Sequence, residues 1–297
     1  MYGTASRVDL WLLLEYTRPW TSNILTNNDL APRVKLSIRR ILELNSYSRL
    51  LFIRNHHRRT KSPMLFVISS KESNPFVKHF QLSAYEDLVS LDPEHLLAAN
   101  PGAEYTNPLF LVCTDGHHDR CCARYGLSIY RELARLVGTL AWQCTHVGGD
   151  RFAANLICFP HGIYYGHVEQ GDLAKIVSLY EEKSIYLPRF RGRACFSRHI
   201  QIAECFVRER NEQVRLGDLQ FSEIHEFNDQ RWMASFISAR NKKICKVFFT
   251  RSLSTFFERA TCNAEVEEQV DQYSLLSYEE SPVAFGLRPA PTEAGLR

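Results

Sequence analysis

Four candidate metal ligands lie within residues 110–151, and they constrain the chain more than any other feature does. Cys113 ends an apolar run, and Cys122 follows after eight intervening residues. His146 ends a second apolar run, and Asp150 follows it across a pair of glycines. Thiolates are soft ligands, and iron–sulfur clusters are held mainly by cysteines. Ligand groups at the ends of two predicted strands therefore indicate a redox metal site, with an iron–sulfur cluster as the first interpretation.

The spacing within this segment suits a site with two irons. The loop between Cys113 and Cys122 is long enough to fold back, so both sulfurs can reach one iron. Cys122 also stands at the start of a predicted helix, where the helix dipole favours a thiolate. The glycines at 148–149 permit a sharp turn, so His146 and Asp150 can both point at the second iron.

The fourth ligand position stays open between several residues. Cys144 lies two residues before His146 and so on the same face of that strand. Cys121 is a second alternate, although packing is the favoured role for it, and a nearby histidine is a third. For His117 and His118, which lie in the loop between the cysteines, a solvated position is favoured over a contact with the cluster.

Composition and charge narrow the class of protein. The 297 residues include nine cysteines, and no window is apolar enough to span a membrane or to act as a signal peptide. We therefore expect a cytoplasmic protein without a disulfide framework. The net charge of +3 gives no argument for a nucleic-acid partner, and the basic run from Arg54 to Lys61 is interpreted as a solvated loop. The scattered cysteines are interpreted as small buried apolar residues: Cys158, Cys195, Cys205, Cys245 and Cys262.

The element pattern predicts α/β and α+β parts in succession. Residues 105–185 read β-α-β-β-β-α, which is compatible with a thioredoxin-like module, and Asp172 is expected to cap its last helix. Residues 1–104 are predicted to form an N-terminal α/β segment, and one interpretation of it is a degenerate copy of that module. Pro188–Arg193 is expected to be a basic turn at a boundary. The pattern in residues 186–280 predicts one helix on an antiparallel sheet of three strands. Residues 281–297 are predicted to form a flexible tail.

Here the sequence resembles the sucrase/ferredoxin-like family, whose members carry a 2Fe–2S cluster on a thioredoxin-like module. The resemblance covers nearly the whole chain and rests on three motifs: CTDGHHDRCCA from Cys113, WQCTHVGGDRFAAN from Trp142 and PHGIYYG from Pro160. It implies that Cys113 and Cys122 are the two cysteine ligands and that His146 is the first histidine of an H-x3-H pair. Known members have histidine where this chain has Asp150. An anionic oxygen donor there should lower the reduction potential.

The resemblance implies an electron carrier, rather than a catalyst, that exchanges electrons with an unidentified redox partner protein. Two alternatives use the same residues. In a cluster-free thiol oxidoreductase, Cys113 would be a thiolate of low pKa, and Cys121 or Cys122 would resolve it. In a zinc-stabilised interaction module, two sulfurs with His146 and Asp150 would form a tetrahedral site.

Overall fold

Most apolar runs of the sequence form strands of one mixed sheet. A computed structural model describes residues 1–21, 23–58, 62–97, 105–227, 230–262 and 264–283. Within them the large sheet contains β1 (Leu10–Glu15), β2 (Ser48–Arg54), β3 (Met64–Ser69), β4 (Phe76–Gln81), β5 (Leu109–Cys113), β6 (Ala141–Cys144), β7 (Leu156–Phe159), β8 (Ile163–Tyr165) and β9 (Phe190–Arg193). A separate antiparallel sheet contains β10 (Leu219–Phe227), β11 (Arg231–Ser238), β12 (Lys243–Glu258) and β13 (Glu268–Pro282). The α-helices are α1 (Pro32–Glu43), α2 (Pro93–Leu97), α3 (Arg120–Val137), α4 (Gln170–Glu181) and α5 (Arg198–Asn211).

The two halves of the large sheet repeat one strand order. In the first half, β1 is parallel to β2 and antiparallel to β3, which pairs with β4. In the second half, β5 is likewise parallel to β6 and antiparallel to β7, which pairs with β8. The halves join where β2 pairs antiparallel with β6, placing Ile53 opposite Cys144. This repetition agrees with the predicted copy in the N-terminal segment, whereas a thioredoxin-like core stays a prediction.

The strand β5 is buried on both faces, as its continuous apolar sequence predicts. Alternate residues enter different cores. Leu111 and Cys113 pack with Cys122 and Trp142, whereas Val112 faces the core that α3 and α4 cover. Because β5 and β6 are parallel, their carboxyl ends meet at the same edge of the sheet. Residues that follow either strand are therefore brought together.

Three local predictions are wrong. Pro188–Arg193 is not a turn throughout, because Phe190–Arg193 is a strand that pairs with β8. The N-cap of α4 is Glu169, and Asp172 is the third helical residue, whose carboxylate accepts a hydrogen bond from the Glu169 amide at 2.9 Å. The second sheet also contains a fourth strand, β13, after the three that were predicted.

A buried charge cluster connects the second sheet to the first. The predicted arrangement of one helix on an antiparallel sheet is present, with α5 packed on β10, β11 and β12. Glu204 of α5 is fully buried and accepts from Arg208 at 2.8 Å. Its carboxylate also lies 2.8 Å from Nε of Arg193 in β9. Two buried guanidinium groups thus hold the pKa of Glu204 below its usual value, although burial opposes this.

Strands from both sides of the predicted divisions at residues 104 and 186 share the large sheet, and the division into domains stays a prediction. Residues 98–104 before the first division, residues 59–61 at the end of the basic run and tail residues 284–297 lie outside the described residues. Ser281 and Pro282, which were assigned to the tail, belong to β13. Among the described helices, none has the length and apolar character to cross a membrane.

Candidate metal centre

The first turn of α3 lies against the end of β5, and this contact positions two thiols. Cys113 is the last residue of β5, and Cys122 is the third residue of α3. Gly126 permits the close approach, because a Cβ there would lie 2.1 Å from the carbonyl oxygen of Cys113. Asp119 caps the helix by accepting a hydrogen bond from the Cys121 amide at 2.7 Å. Both Cys113 and Cys122 are only 1% exposed.

Asp115 joins the loop between the cysteines to the segment after β6. One oxygen of this buried carboxylate accepts from the amides of His117 and His118 at 3.2 and 3.3 Å. Its other oxygen accepts from the amide of His146 at 3.2 Å. The sequence analysis did not single out Asp115. Its position two residues after Cys113, before a polar loop, is the usual signal for such an Asx turn.

Three of the predicted ligands converge on one point. The Sγ atoms of Cys113 and Cys122 and a ring nitrogen of His146 all lie within 4.8 Å of one another. The two thiols belong to the core, whereas the His146 side chain is 18% exposed. The two sulfurs therefore lie on the buried side of the site, and the imidazole lies at its solvent-exposed rim.

Asp150 and His118 complete a second group of donors around the same imidazole. Oδ1 of Asp150 lies 2.9 Å from Nδ1 of His146 and accepts a 3.5 Å contact from the Cys122 thiol. His118 stacks on His146 with ring centroids 3.6 Å apart, and its Nε2 lies 3.9 Å from Oδ2 of Asp150. His118 was predicted to be solvated, and its side chain is 40% exposed, although it also contacts His146 and Asp150.

The electrostatics favour a thiolate at Cys113, a carboxylate at Asp150 and a protonated His146, which must release its proton to bind a metal. A hydrogen bond from Cys122, together with His146, lowers the pKa of Cys113 to about 6 against the opposing effect of burial. The same hydrogen bond, and then burial, raises the pKa of Cys122. Burial would lower the pKa of His146, but Asp150 and Cys113 together raise it to about 9. Burial opposes ionisation of Asp150, yet His146 keeps the pKa of this carboxyl below its usual value.

This donor set fits a transition-metal centre. Two buried sulfurs, one imidazole and one carboxylate match iron–sulfur or zinc chemistry better than they match magnesium or calcium, which prefer oxygen. Nδ1 of His146 is buried and has no well-aligned hydrogen-bond partner, even though Asp150 is close. A buried polar atom without such a partner is costly, and a bound metal offers it a role.

Residues 1–192 match one family model, which is described as sucrase/ferredoxin-like. The chain belongs to the sucrase/ferredoxin-like family. A relative from Meyerozyma guilliermondii, named altered inheritance of mitochondria protein 32, is 28% identical over 100 residues. That alignment covers 30% of this chain and only 36% of the relative. No solved structure matches the chain significantly.

The matched region of this sucrase/ferredoxin-like chain also contains an arginine that holds the glycine turn. Gly148 and Gly149 have φ angles of +92° and +77°. The fully buried Arg191 donates to the carbonyl of Gly148 at 3.2 Å and to Oδ1 of Asn155 at 2.6 Å. Asn155 in turn donates to the carbonyl of Gly149 at 2.9 Å. The turn that directs Asp150 toward His146 thus rests on Arg191, which was predicted only as part of a basic turn.

Gly149→Ala is expected to lower metal occupancy about tenfold or more, in the range seen when outer-shell support of a metal site is lost. An alanine at this φ is strained, and its Cβ would lie 2.2 Å from the Arg191 guanidinium. The measurement is metal per chain after purification. Gly171→Ala in α4 is the matched control, because nothing lies within 4 Å of its added Cβ. Equal metal content in both variants would contradict the role given to the turn.

The alternate ligands occupy different positions. Cys144 is fully buried and lies opposite Cys113 in the pairing of β5 with β6, but it belongs to none of the three-donor groups found among the described residues. Cys121 forms a disulfide with Cys262 and is not a free thiol. The interpretation of Cys262 as a buried apolar residue is therefore wrong. The other scattered cysteines are free and buried, as predicted: Cys158, Cys195, Cys205 and Cys245.

Proposed function

We propose that this chain is an electron-transfer protein that holds one 2Fe–2S cluster at Cys113, Cys122, His146 and Asp150. The observation that carries the proposal is the meeting of two buried thiols with His146, whose Nδ1 lacks an aligned hydrogen-bond partner. Membership of the sucrase/ferredoxin-like family supports it. The strand order of the central module, with β5 between β6 and β7, is compatible with a thioredoxin-like fold.

The cysteines and the histidines of the site would have different roles in an electron carrier. A bound cluster supplies one-electron chemistry at a potential set by its ligands and surroundings. Cys113 offers a thiolate at neutral pH, and burial of both cysteines excludes water from the sulfur side. His146 and His118 stand at the exposed rim, which is the side from which a redox partner protein can approach. The proposal includes a redox partner protein and a cytoplasmic location.

Zinc is the second candidate occupant. Zinc holds sulfur at about 2.3 Å and nitrogen at about 2.0–2.1 Å, so the ligands of one ion lie close together. The three donors within 4.8 Å of one another suit that spacing. In this case the chain would be a zinc-stabilised interaction module rather than an electron carrier.

The cluster-free thiol oxidoreductase has one observation in its favour and one against it. The lowered pKa of Cys113 would give it a reactive thiolate. However, Cys113 and Cys122 are each only 1% exposed, so a disulfide substrate has no direct access to either sulfur. Iron–sulfur electron transfer therefore explains the site better.

Anaerobic purification of the chain separates these three functions. The proposal predicts a coloured protein with equal iron and acid-labile sulfide, and an EPR signal that appears on one-electron reduction. A colourless protein with one zinc per chain would establish the zinc module. A metal-free protein with a reversible disulfide between Cys113 and Cys122 would establish the thiol oxidoreductase.

A further inference from the structure

The hairpin formed by β12 and β13 returns to the candidate metal centre at its tip. Cys262 lies in the connection between these strands, and its disulfide partner Cys121 is separated from it by 141 positions in sequence. Their Cα atoms are 6.4 Å apart, within the range of disulfide-bonded residues. The bridge therefore joins the tip of the hairpin to the first turn of α3, beside the candidate ligand Cys122.

Two weaker contacts reinforce this attachment. The amide of Cys262 donates to Oδ2 of Asp119 at 2.8 Å. Nη1 of Arg151 lies 3.3 Å from Oε2 of Glu258, at the end of β12. Both partners on the body of the protein lie near candidate ligands in sequence, since Arg151 follows Asp150 and Asp119 caps the helix that carries Cys122. All three attachments thus end at the metal centre.

Little apolar packing holds the hairpin tip otherwise. The side chains of Leu253, Phe257 and Val266 are 59%, 59% and 68% exposed. A groove of about 430 Å³ separates the tip from the body, with Phe256 and Glu258 on one side and Phe152 on the other. Since exposed ion pairs contribute little to stability, the disulfide is the main fastening of this segment.

We propose that Cys121 and Cys262 form a second redox site, a reversible disulfide that fastens the hairpin tip beside the metal centre. It is independent of the cluster proposed above, and its reductant is a dithiol such as a thioredoxin-type protein. One thiolate of the reductant attacks Sγ of the exposed Cys262, the disulfide breaks, and Cys121 leaves as a thiolate. The second thiol of the reductant then displaces Cys262, so two electrons and two protons pass from the dithiol to the chain.

Two features of the site suit this exchange. Exposed disulfides are the labile ones, and Cys262 is exposed whereas Cys121 is half-buried. Cys121 is the second residue of α3, where the helix dipole stabilises a leaving thiolate. After reduction, the contacts of Arg151 and Asp119 stay in place, and Arg198 of α5 still pairs with Asp271 of β13 at 3.0 Å.

Thiol labelling and hydrogen exchange test this site whether or not the protein contains metal. In the denatured, unreduced chain, alkylation is expected to label the seven free cysteines and to spare Cys121 and Cys262. A dithiol reductant should release both for labelling. Amide exchange in residues 254–272 should then accelerate about tenfold or more, because the tip opens locally.

The variant Cys262→Ser should show this fast exchange without any reductant, since it cannot form the bridge. Cys245→Ala is the control, because Cys245 is a buried free thiol of the same sheet. Labelling of Cys121 and Cys262 before reduction would overturn the proposal. So would equal exchange of the tip in Cys262→Ser and in the oxidised wild type. Absence of iron would contradict only the proposed function, because neither the thiol labelling nor the amide exchange depends on the metal.

Discussion

Cys113→Ala is expected to yield a folded, colourless protein that has lost its cluster. The substitution removes one of the two buried sulfurs of the site. Cys122 and His146 are then too few donors to hold the cluster. The stability cost is small by comparison, about 1 kcal/mol, because alanine leaves only a minor cavity in the core. Iron content, acid-labile sulfide and visible absorption measure the loss, and circular dichroism verifies the fold.

Cys158→Ala is the matched control for this experiment. Cys158 is also fully buried and lies in β7, which pairs with β5, but it faces the opposite core from Cys113. Its removal costs similar packing and no candidate ligand, so the protein should stay coloured. If Cys158→Ala also loses iron, the effect reports on folding rather than ligation. Retention of the full cluster by Cys113→Ala would refute the ligand assignment.

Local sequence patterns were sufficient to predict where the site lies. The apolar run before Cys113 predicted a buried strand, and the run before His146 predicted a second one. Parallel pairing of β5 and β6 then brings the two ends to one edge. The glycine pair signalled the turn toward Asp150, and both glycines do have positive φ angles.

The residues that sequence patterns missed are those whose role depends on distant partners. His118 stacks on His146, which follows β6, and Arg191 reaches the glycine turn from β9. The bridge between Cys121 and Cys262 spans 141 positions, which no local spacing can indicate. The strand β13 was missed for another reason. It is largely exposed and polar, so it lacks the alternation that marks a half-buried strand.

Asp150→His is expected to raise the reduction potential by on the order of 100 mV, since replacing anionic ligands by imidazole raises the potentials of two-iron centres. The substitution creates the pair of histidines that the family resemblance gives for this position. The aspartate side chain is 5% exposed, and its carboxylate lies 2.9 Å from His146 and 3.9 Å from His118, so a histidine there is directed at the same site. A potentiometric titration followed by EPR measures the shift.

Asp150→Ala and His118→Ala decide which side chain is the fourth ligand. If Asp150 binds iron, its removal abolishes the cluster, whereas His118→Ala leaves it intact. If Asp150 only orients His146, the cluster survives in Asp150→Ala, because the sulfurs and the imidazole stay in place. In that case the cluster should be lost in His118→Ala, since Nε2 of His118 lies 3.9 Å from the carboxylate and is the nearest substitute donor. An unchanged potential in Asp150→His would likewise place position 150 outside the ligand set.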